Sequence, residues 1–211
     1  MGSATELTQV EEAAMRHYVH SIGLALLVKL KPKPLEPAAD RYPVHANPMN
    51  RILASILLMD VEQSTEFLVR WGDVAWRDVL DQLYGIAYRH IAVFRGRGVN
   101  MIGDQIMAAF EGPIRAICCA EAIQREAKGL GLRLRAGVHV GEVERSGDNL
   151  RGIAVHIAAR IAALANGNEI LVSATVRDIV AGSGLLFADR GEQILKGVPD
   201  PRRVFCVAQR S

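Results

Sequence analysis

Hydrophobic positions divide the chain into two parts with different periods. In residues 6–30, apolar side chains recur every three or four positions, which predicts one amphipathic helix with a single apolar stripe. From residue 51 onward, short apolar runs of strand length alternate with helical patterns. The first run, ILASILLM at 52–59, is continuously apolar and therefore predicts a strand covered on both faces.

A proline-rich segment separates these two parts. Residues 31–48, KPKPLEPAADRYPVHANP, carry five of the chain's eight prolines. Such a composition predicts an extended linker without regular structure. We therefore place a domain boundary near Asn47, between an N-terminal helix with its linker (1–47) and a larger domain (48–211).

The order of elements in the larger domain predicts its fold class. The strand at 52–59 precedes a helix that starts at Ser64-Thr65, whose hydroxyls can cap it, and that runs to Phe94 with Gly72 as a candidate break. The rest is read as a hairpin of two strands within 98–110, helices at 113–128 and 153–164, and strands at 132–143, 169–173, 187–195 and 204–207. The β-α-β-β-α-β order predicts an α+β, ferredoxin-like domain with extra C-terminal strands.

Composition and charge narrow the classes of protein. Half of the 211 residues are hydrophobic and 23% are charged, which is typical of a globular chain, and the net charge of +2 indicates no nucleic-acid partner. The apolar stretch 22–30 is too short to span a membrane and lacks the flanks of a signal peptide. Three cysteines (Cys118, Cys119 and Cys206) cannot all pair, so we expect small core residues in a reducing cytoplasm.

Two acidic residues are placed where a cation site can form. Asp60 ends the first apolar strand, and Asp104 follows Gly103 at the tip of the predicted hairpin. In a ferredoxin-like sheet the first strand lies beside this hairpin, so the two carboxylates are expected to approach each other. Paired carboxylates suit Mg²⁺ bound together with substrate phosphates. Taken singly, each residue also fits a simpler role, as a Gly-Asp turn or as a helix cap.

Five motifs in order along the chain extend this picture, and they cover residues 52–207. They are DVEQST from Asp60, GD at Gly103, RAGVH from Arg135, GIAVHIAAR from Gly152 and LKG from Leu195. Their order and spacing resemble those of the class III nucleotide cyclase catalytic domain. His156, where that family usually has Asn, resembles a non-canonical bacterial subgroup.

The resemblance implies a metal-dependent site. By similarity to the family, Asp60, Asp104 and the backbone carbonyl of Val61 are the ligands of two Mg²⁺ or Mn²⁺ ions per site. Arg160 matches the family's arginine that contacts the α-phosphate as charge develops. His156 stands one helical turn before Arg160, so both side chains are expected on one helix face as catalytic residues.

The same resemblance implies how the substrate is held. Arg135 and Lys196 match positions that bind the β- and γ-phosphates. Asn100 and Asn149 occupy the positions that read the base, where adenylate cyclases usually have Lys and Asp or Thr. Because an amide both donates and accepts hydrogen bonds, this pair does not specify adenine. Gln63 stands where the family pattern normally has glycine.

From the resemblance we expect conversion of a nucleoside triphosphate to a 3′,5′-cyclic nucleotide and pyrophosphate. ATP is the family default, and the altered base-reading residues leave UTP or CTP open, as in the pyrimidine cyclases of bacterial antiphage defence. The family takes its metal aspartates from one protomer and its Arg-bearing helix from the other, which implies a homodimer with composite sites. Two alternatives stay open: a degenerate cyclase that binds nucleotide as a regulatory module, and an interaction domain whose N-terminal helix is the functional part.

Overall fold

The fold is given by a computed structural model that describes residues 51–147 and 149–208. The predicted N-terminal helix, the proline-rich linker and the boundary near residue 47 lie outside the described residues. They therefore stay predictions.

Strands and helices alternate through the described part of the chain. In order they are β1 (Arg51–Val61), α1 (Ser64–Val93), β2 (Arg97–Ile102), β3 (Gln105–Phe110), α2 (Pro113–Ala127), a 3₁₀ turn (Lys128–Leu130), β4 (Leu134–Ser146), β5 (Asn149–Arg151), α3 (Ile153–Leu164), β6 (Ile170–Ser173), α4 (Ala174–Ile179), β7 (Phe187–Gln193) and β8 (Arg202–Val207). Of these helices, none combines the length and apolarity needed to cross a membrane. The βαββαβ order with extra C-terminal strands is confirmed; β5 and α4 were not predicted.

One sheet carries all of these strands. Its order is β2-β3-β1-β4-β6-β8-β7, and the short β5 pairs with β4. The first four strands thus lie in the ferredoxin-like order, with β1 antiparallel to both of its neighbours, β3 and β4. The end of β1 consequently lies between the β2–β3 hairpin and the start of β4, and the candidate site is built there.

Strand β1 is covered on both faces, as its apolar run predicts. Residues 54–59 are all buried, and alternate side chains enter different cores. Leu57 and Met59 join the core formed with α1 and α2, whereas Ile56 and Leu58 join a core formed with α3. Helix α3 therefore packs on the opposite face of the sheet from α1 and α2.

Two glycines of β4 let α3 lie close against the sheet. A Cβ on Gly137 would lie 2.5 Å from the carbonyl oxygen of Ala158, and one on Gly141 would lie 2.7 Å from Cβ of Ala154. Since later residues of α3 meet earlier residues of β4, the helix runs antiparallel to that strand. The C-terminal half of α3 thus lies toward the end of β4 that carries Arg135.

Helix α1 begins and bends differently from a simple capped helix. Its N-cap is Gln63, with φ 59° and ψ 32°, and no side chain caps it, so the predicted capping by Ser64 or Thr65 is wrong. Gln63 adopts the left-handed conformation that glycine takes at little cost. The predicted break at Gly72 is confirmed, since its φ of 80° interrupts the helix.

Candidate active site

Asp60, at the end of β1, is bound by an arginine from the neighbouring strand. Asp60 and Arg135 are register partners in the β1–β4 ladder, so their side chains leave the same face of the sheet. Arg135 donates from Nε to Oδ1 at 2.7 Å and from Nη2 to Oδ2 at 3.1 Å. The side chain of Asp60 is 21% exposed and that of Arg135 is 30% exposed. This bidentate pair fixes both oxygens of the Asp60 carboxylate.

Asp104 lies at the same end of the sheet. It follows Gly103 in the turn of the β2–β3 hairpin, and the pairing of β3 with β1 ends at Ile106 opposite Met59, one residue before Asp60. Burial raises the pKa of Asp60, the hydrogen bond and charge of Arg135 oppose that change, and the charge of Asp104 raises the pKa further. The two carboxylates therefore repel each other electrostatically, as two groups flanking a cation site do.

The donor set at this end of the sheet fits a hard divalent cation. Two carboxylates are present, and β1 continues to Val61, whose backbone carbonyl is a third oxygen. Within residues 51–147 and 149–208, no set of three or more His, Cys, Asp and Glu side chains is arranged to hold a metal ion. An ion bound by Asp60 and Asp104 would therefore need further ligands from the backbone and from substrate phosphates.

A second contact fixes the loop that follows Asp60. The N–H of Gly167 donates to Oε1 of Glu62 at 2.7 Å, and Nε of Arg133 lies 3.2 Å from Oε2 of the same carboxylate. A Cβ on Gly167 would lie 2.4 Å from Oε2 of Glu62, so any larger residue would have to displace that side chain. The loop after β1 is thereby tied to the loop that links α3 to β6. No local pattern in the sequence predicts this contact, since it joins residues 105 positions apart.

Helix α3 presents His156 and Arg160 to solvent. Ala158 rests against Gly137 of β4, and Arg160, two residues later, is exposed on the other side of the helix together with His156. In the part of the chain that the structure describes, neither side chain forms a hydrogen bond or ion pair. Both side chains therefore project away from the sheet that carries Asp60 in the same chain.

Lys196 belongs with the α3 side of the molecule. It is exposed in the loop between β7 and β8, and its neighbour Leu195 is buried in the core cluster that includes Ile157 and Ile161 of α3. The predicted phosphate-binding residues are thus divided, because Arg135 lies beside Asp60 and Lys196 lies beside α3.

The predicted base-reading residues lie on two short strands. Asn100 on β2 and Asn149 on β5 are both exposed. Arg97 of β2 donates to the carbonyl oxygen of Gly147 at 3.0 Å, which ties β2 to the turn before β5. Neither amide is hydrogen-bonded to the Asp60–Arg135 pair in the described residues.

His139, within the RAGVH motif, is a titratable group that sequence reasoning left without a role. Its Nδ1 lies 2.8 Å from Oγ of Ser173. Burial lowers the pKa of His139 to about 4, and the charge of Arg202 adds to this effect. The imidazole is therefore neutral at pH 7, on the side of β4 that faces α3.

Comparison with known proteins identifies the family. The model of the adenylate and guanylate cyclase catalytic domain matches residues 45–209. The chain therefore belongs to this family, the class III nucleotidyl cyclases, and the recognition made from its five motifs is confirmed.

Individual relatives agree with this assignment. The chain is 28% identical to a putative adenylate cyclase 3 of Rhizobium meliloti (strain 1021), over 74% of this chain and 28% of the relative. It is 30% identical to an uncharacterized protein of Mycobacterium bovis (strain ATCC BAA-935 / AF2122/97), over 71% of this chain and 54% of the relative. The chain thus spans about half or less of the length of these curated relatives.

Solved structures share the fold. The adenylyl cyclase CyaB of P. aeruginosa superposes with a TM-score of 0.70 at 19% identity, covering 76% of this chain and 96% of that one. An adenylate/guanylate cyclase/hydrolase from Silicibacter pomeroyi superposes with a TM-score of 0.59 at 26% identity, covering 76% and 99%. The fold class predicted from the sequence is confirmed.

Proposed function

We propose that the chain converts a nucleoside triphosphate to a 3′,5′-cyclic nucleotide and pyrophosphate. The observation that carries the proposal is the convergence of Asp60 and Asp104 at one end of the sheet in a chain of the nucleotide cyclase family. When bound there, Mg²⁺ or Mn²⁺ ions would lower the pKa of the ribose 3′-hydroxyl and balance the charge of the triphosphate. Asp60, Asp104 and the carbonyl of Val61 would hold them.

Arg135 has two uses in this scheme. Its planar guanidinium binds the Asp60 carboxylate in a bidentate manner, and the same fork fits two phosphate oxygens. When a triphosphate arrives, Arg135 exchanges the carboxylate for the β- and γ-phosphates. Asp60 is then free to bind a cation.

Arg160 and His156 act on the site of a second copy of the chain. Both are exposed on the face of α3 that points away from their own sheet, so they are available to a partner. In a twofold homodimer they would meet the other subunit's carboxylates, where Arg160 stabilises charge that develops at the α-phosphate. Lys196, beside α3, would add its charge to the triphosphate from the same side.

The base is read by amides. Asn100 and Asn149 are exposed and each offers one donor group and one acceptor, so the pair is compatible with ATP, UTP or CTP. A pyrimidine product would agree with a role in antiphage signalling in the bacterial cytoplasm.

Incubation with each of the four nucleoside triphosphates and Mn²⁺ tests the proposal. We expect a cyclic product from at least one of them, and Asp104→Asn should lower its formation by roughly 10³-fold, the scale for losing one charge partner of a transition state. Asp81→Asn, an exposed acid of α1, is the matched control and should retain activity. Undiminished turnover by Asp104→Asn would refute the site. Nucleotide binding without any turnover would instead support the degenerate, regulatory alternative.

A further inference from the structure

Asp104 is carried by a hairpin tip that lies beyond the last paired residues of β3 and β1. The pairing of β3 with β1 ends at Ile106 opposite Met59, so the turn of Gly103 and Asp104 lies beyond that ladder. Strand β2, the other arm of the hairpin, is at the edge of the sheet. Ladder hydrogen bonds alone therefore do not fix the position of the Asp104 carboxylate relative to Asp60.

A tyrosine of helix α1 reaches this tip. The hydroxyl of Tyr84 donates a hydrogen bond to the backbone carbonyl of Gly103. Tyr84 is only 8% exposed, and it belongs to the core cluster that includes Met101 and Ile106, which flank the tip on its two sides. A buried phenol needs a hydrogen-bond partner for its hydroxyl, and this partner is the peptide group that joins Gly103 to Asp104.

We infer that Tyr84 is a positioning residue for Asp104, which it holds at the distance from Asp60 that a divalent cation requires. The inference rests on the proposed role of Asp104 as a metal ligand. Because the accepting carbonyl and the nitrogen of Asp104 share one rigid peptide plane, fixing the first constrains the second. Groups outside the metal's own ligands commonly change its affinity 10- to 100-fold. We expect the lower end of that range, since Tyr84 acts on the backbone and not on the carboxylate.

Mn²⁺ binding to Tyr84→Phe tests this directly, because phenylalanine keeps the buried ring and removes only the hydroxyl. Free Mn²⁺ is followed by electron paramagnetic resonance during titration of the full chain without nucleotide. The dissociation constant should rise about tenfold. In turnover, the Mn²⁺ concentration for half-maximal rate should rise in parallel, while kcat at saturating Mn²⁺ stays within about twofold of the wild-type value.

Tyr88→Phe is the matched control. Tyr88 lies one turn further along α1, and its ring is 3.6 Å from the position of a Cβ on Gly98, near the end of β2 opposite the tip. Removal of this hydroxyl should leave Mn²⁺ binding unchanged. The pair of variants thus compares the same chemical change at the two ends of one strand.

The outcomes separate failure of this inference from failure of the proposed function. If wild type binds Mn²⁺ and Asp104→Asn does not, while Tyr84→Phe binds like wild type, only the role of Tyr84 is wrong. That role is also wrong if Tyr84→Phe unfolds, or if it lowers kcat with unchanged Mn²⁺ dependence, because the hydroxyl then serves the core in general. If Asp104→Asn matches wild type both in Mn²⁺ binding and in the Mn²⁺ dependence of turnover, the proposed metal site itself is wrong. If wild type binds Mn²⁺ only together with the triphosphate, the Mn²⁺ dependence of turnover decides the role of Tyr84 in the same way.

Discussion

The two halves of the candidate site are built in different ways. In the carboxylate half, Asp60 lies on a central strand and is held by two hydrogen bonds from Arg135, and the tip that carries Asp104 is tied to α1. In the cationic half, the side chains of His156 and Arg160 lie on the solvent side of α3 and form no hydrogen bond or ion pair within residues 51–147 and 149–208.

This difference indicates that the carboxylates find their contacts within one chain, whereas the cationic residues of α3 do not. Carboxylates that share a cation must be fixed relative to each other before the ion binds, so their own chain has to supply the constraints. An exposed, unpaired arginine costs nothing in the isolated subunit and is available to a partner. The asymmetry therefore favours a site shared between two subunits.

Arg160→Ala should give the largest effect on turnover among the variants that leave Mn²⁺ binding unchanged. We expect kcat to fall roughly 10²- to 10³-fold through loss of charge stabilisation in the transition state. The free energy of unfolding and Mn²⁺ binding should be unchanged, because Arg160 is exposed. Arg125→Ala, which removes another exposed helical arginine, is the control. A clear loss of stability or of Mn²⁺ binding in Arg160→Ala would contradict the claim that Arg160 makes no contacts within its own chain.

Arg135→Gln should strengthen Mn²⁺ binding in the absence of nucleotide. Arg135 competes with a cation for Asp60, and a partly exposed ion pair is worth about 1 kcal/mol, or roughly a fivefold change in the dissociation constant. The KM for the triphosphate should rise at the same time, since the phosphates lose their guanidinium. Calorimetric titration with Mn²⁺ measures the first effect.

Arg133→Gln controls for the loss of a nearby positive charge. Arg133 immediately precedes β4, two residues before Arg135, but it pairs with Glu62. If both variants change Mn²⁺ affinity equally, the cause is the loss of a nearby positive charge and not the release of Asp60 from its ion pair with Arg135.

His139 should make the α3 side of the sheet sensitive to acid. Its pKa falls from 6.5 to about 4 on folding, so its contribution to stability is complete above pH 6.5 and is lost as the pH falls toward 4. The largest possible loss is roughly 3 kcal/mol, less to the extent that water reaches the ring. Urea unfolding at pH 7, 5.5 and 4 should show this slope in wild type and a smaller one in His139→Gln. An identical dependence of unfolding free energy on pH in wild type and His139→Gln would mean that another group causes the acid sensitivity. His90→Gln is the control, and it should keep the wild-type dependence.

Gln63→Gly should have the smallest effect. The left-handed conformation of Gln63 strains the loop that leads from Asp60 to α1 by about 1 kcal/mol, and glycine relieves it. Greater freedom of glycine in the unfolded chain offsets most of this gain, so the unfolding free energy should change by less than about 1 kcal/mol. Destabilisation beyond that value in urea unfolding would show that the Gln63 side chain makes stabilising contacts.

Local patterns were sufficient for much of the fold but not for the contacts of the site. The unbroken apolar run of β1 predicted a strand covered on both faces, and the ferredoxin-like order placed Asp104 near Asp60. The pairing of Asp60 with Arg135 depends on the register of two strands 75 residues apart, which no local pattern specifies. The predicted N-cap of α1 was wrong because Gln63, in the left-handed conformation, takes the cap position in place of Ser64. The hydrogen bond from Tyr84 to Gly103 depends on how α1 packs on the sheet, which no local pattern specifies.

The most direct test of a site shared between subunits is complementation between two inactive variants. Asp60→Asn and Arg160→Ala are purified separately, mixed, allowed to exchange subunits and assayed for cyclic nucleotide formation with Mn²⁺. In a twofold dimer, each mixed dimer regains one intact site and half of the dimers are mixed, so about a quarter of wild-type activity should return. If the mixture stays as inactive as its components although mixed dimers form, Asp60 and Arg160 serve the same subunit's site and the composite arrangement is wrong.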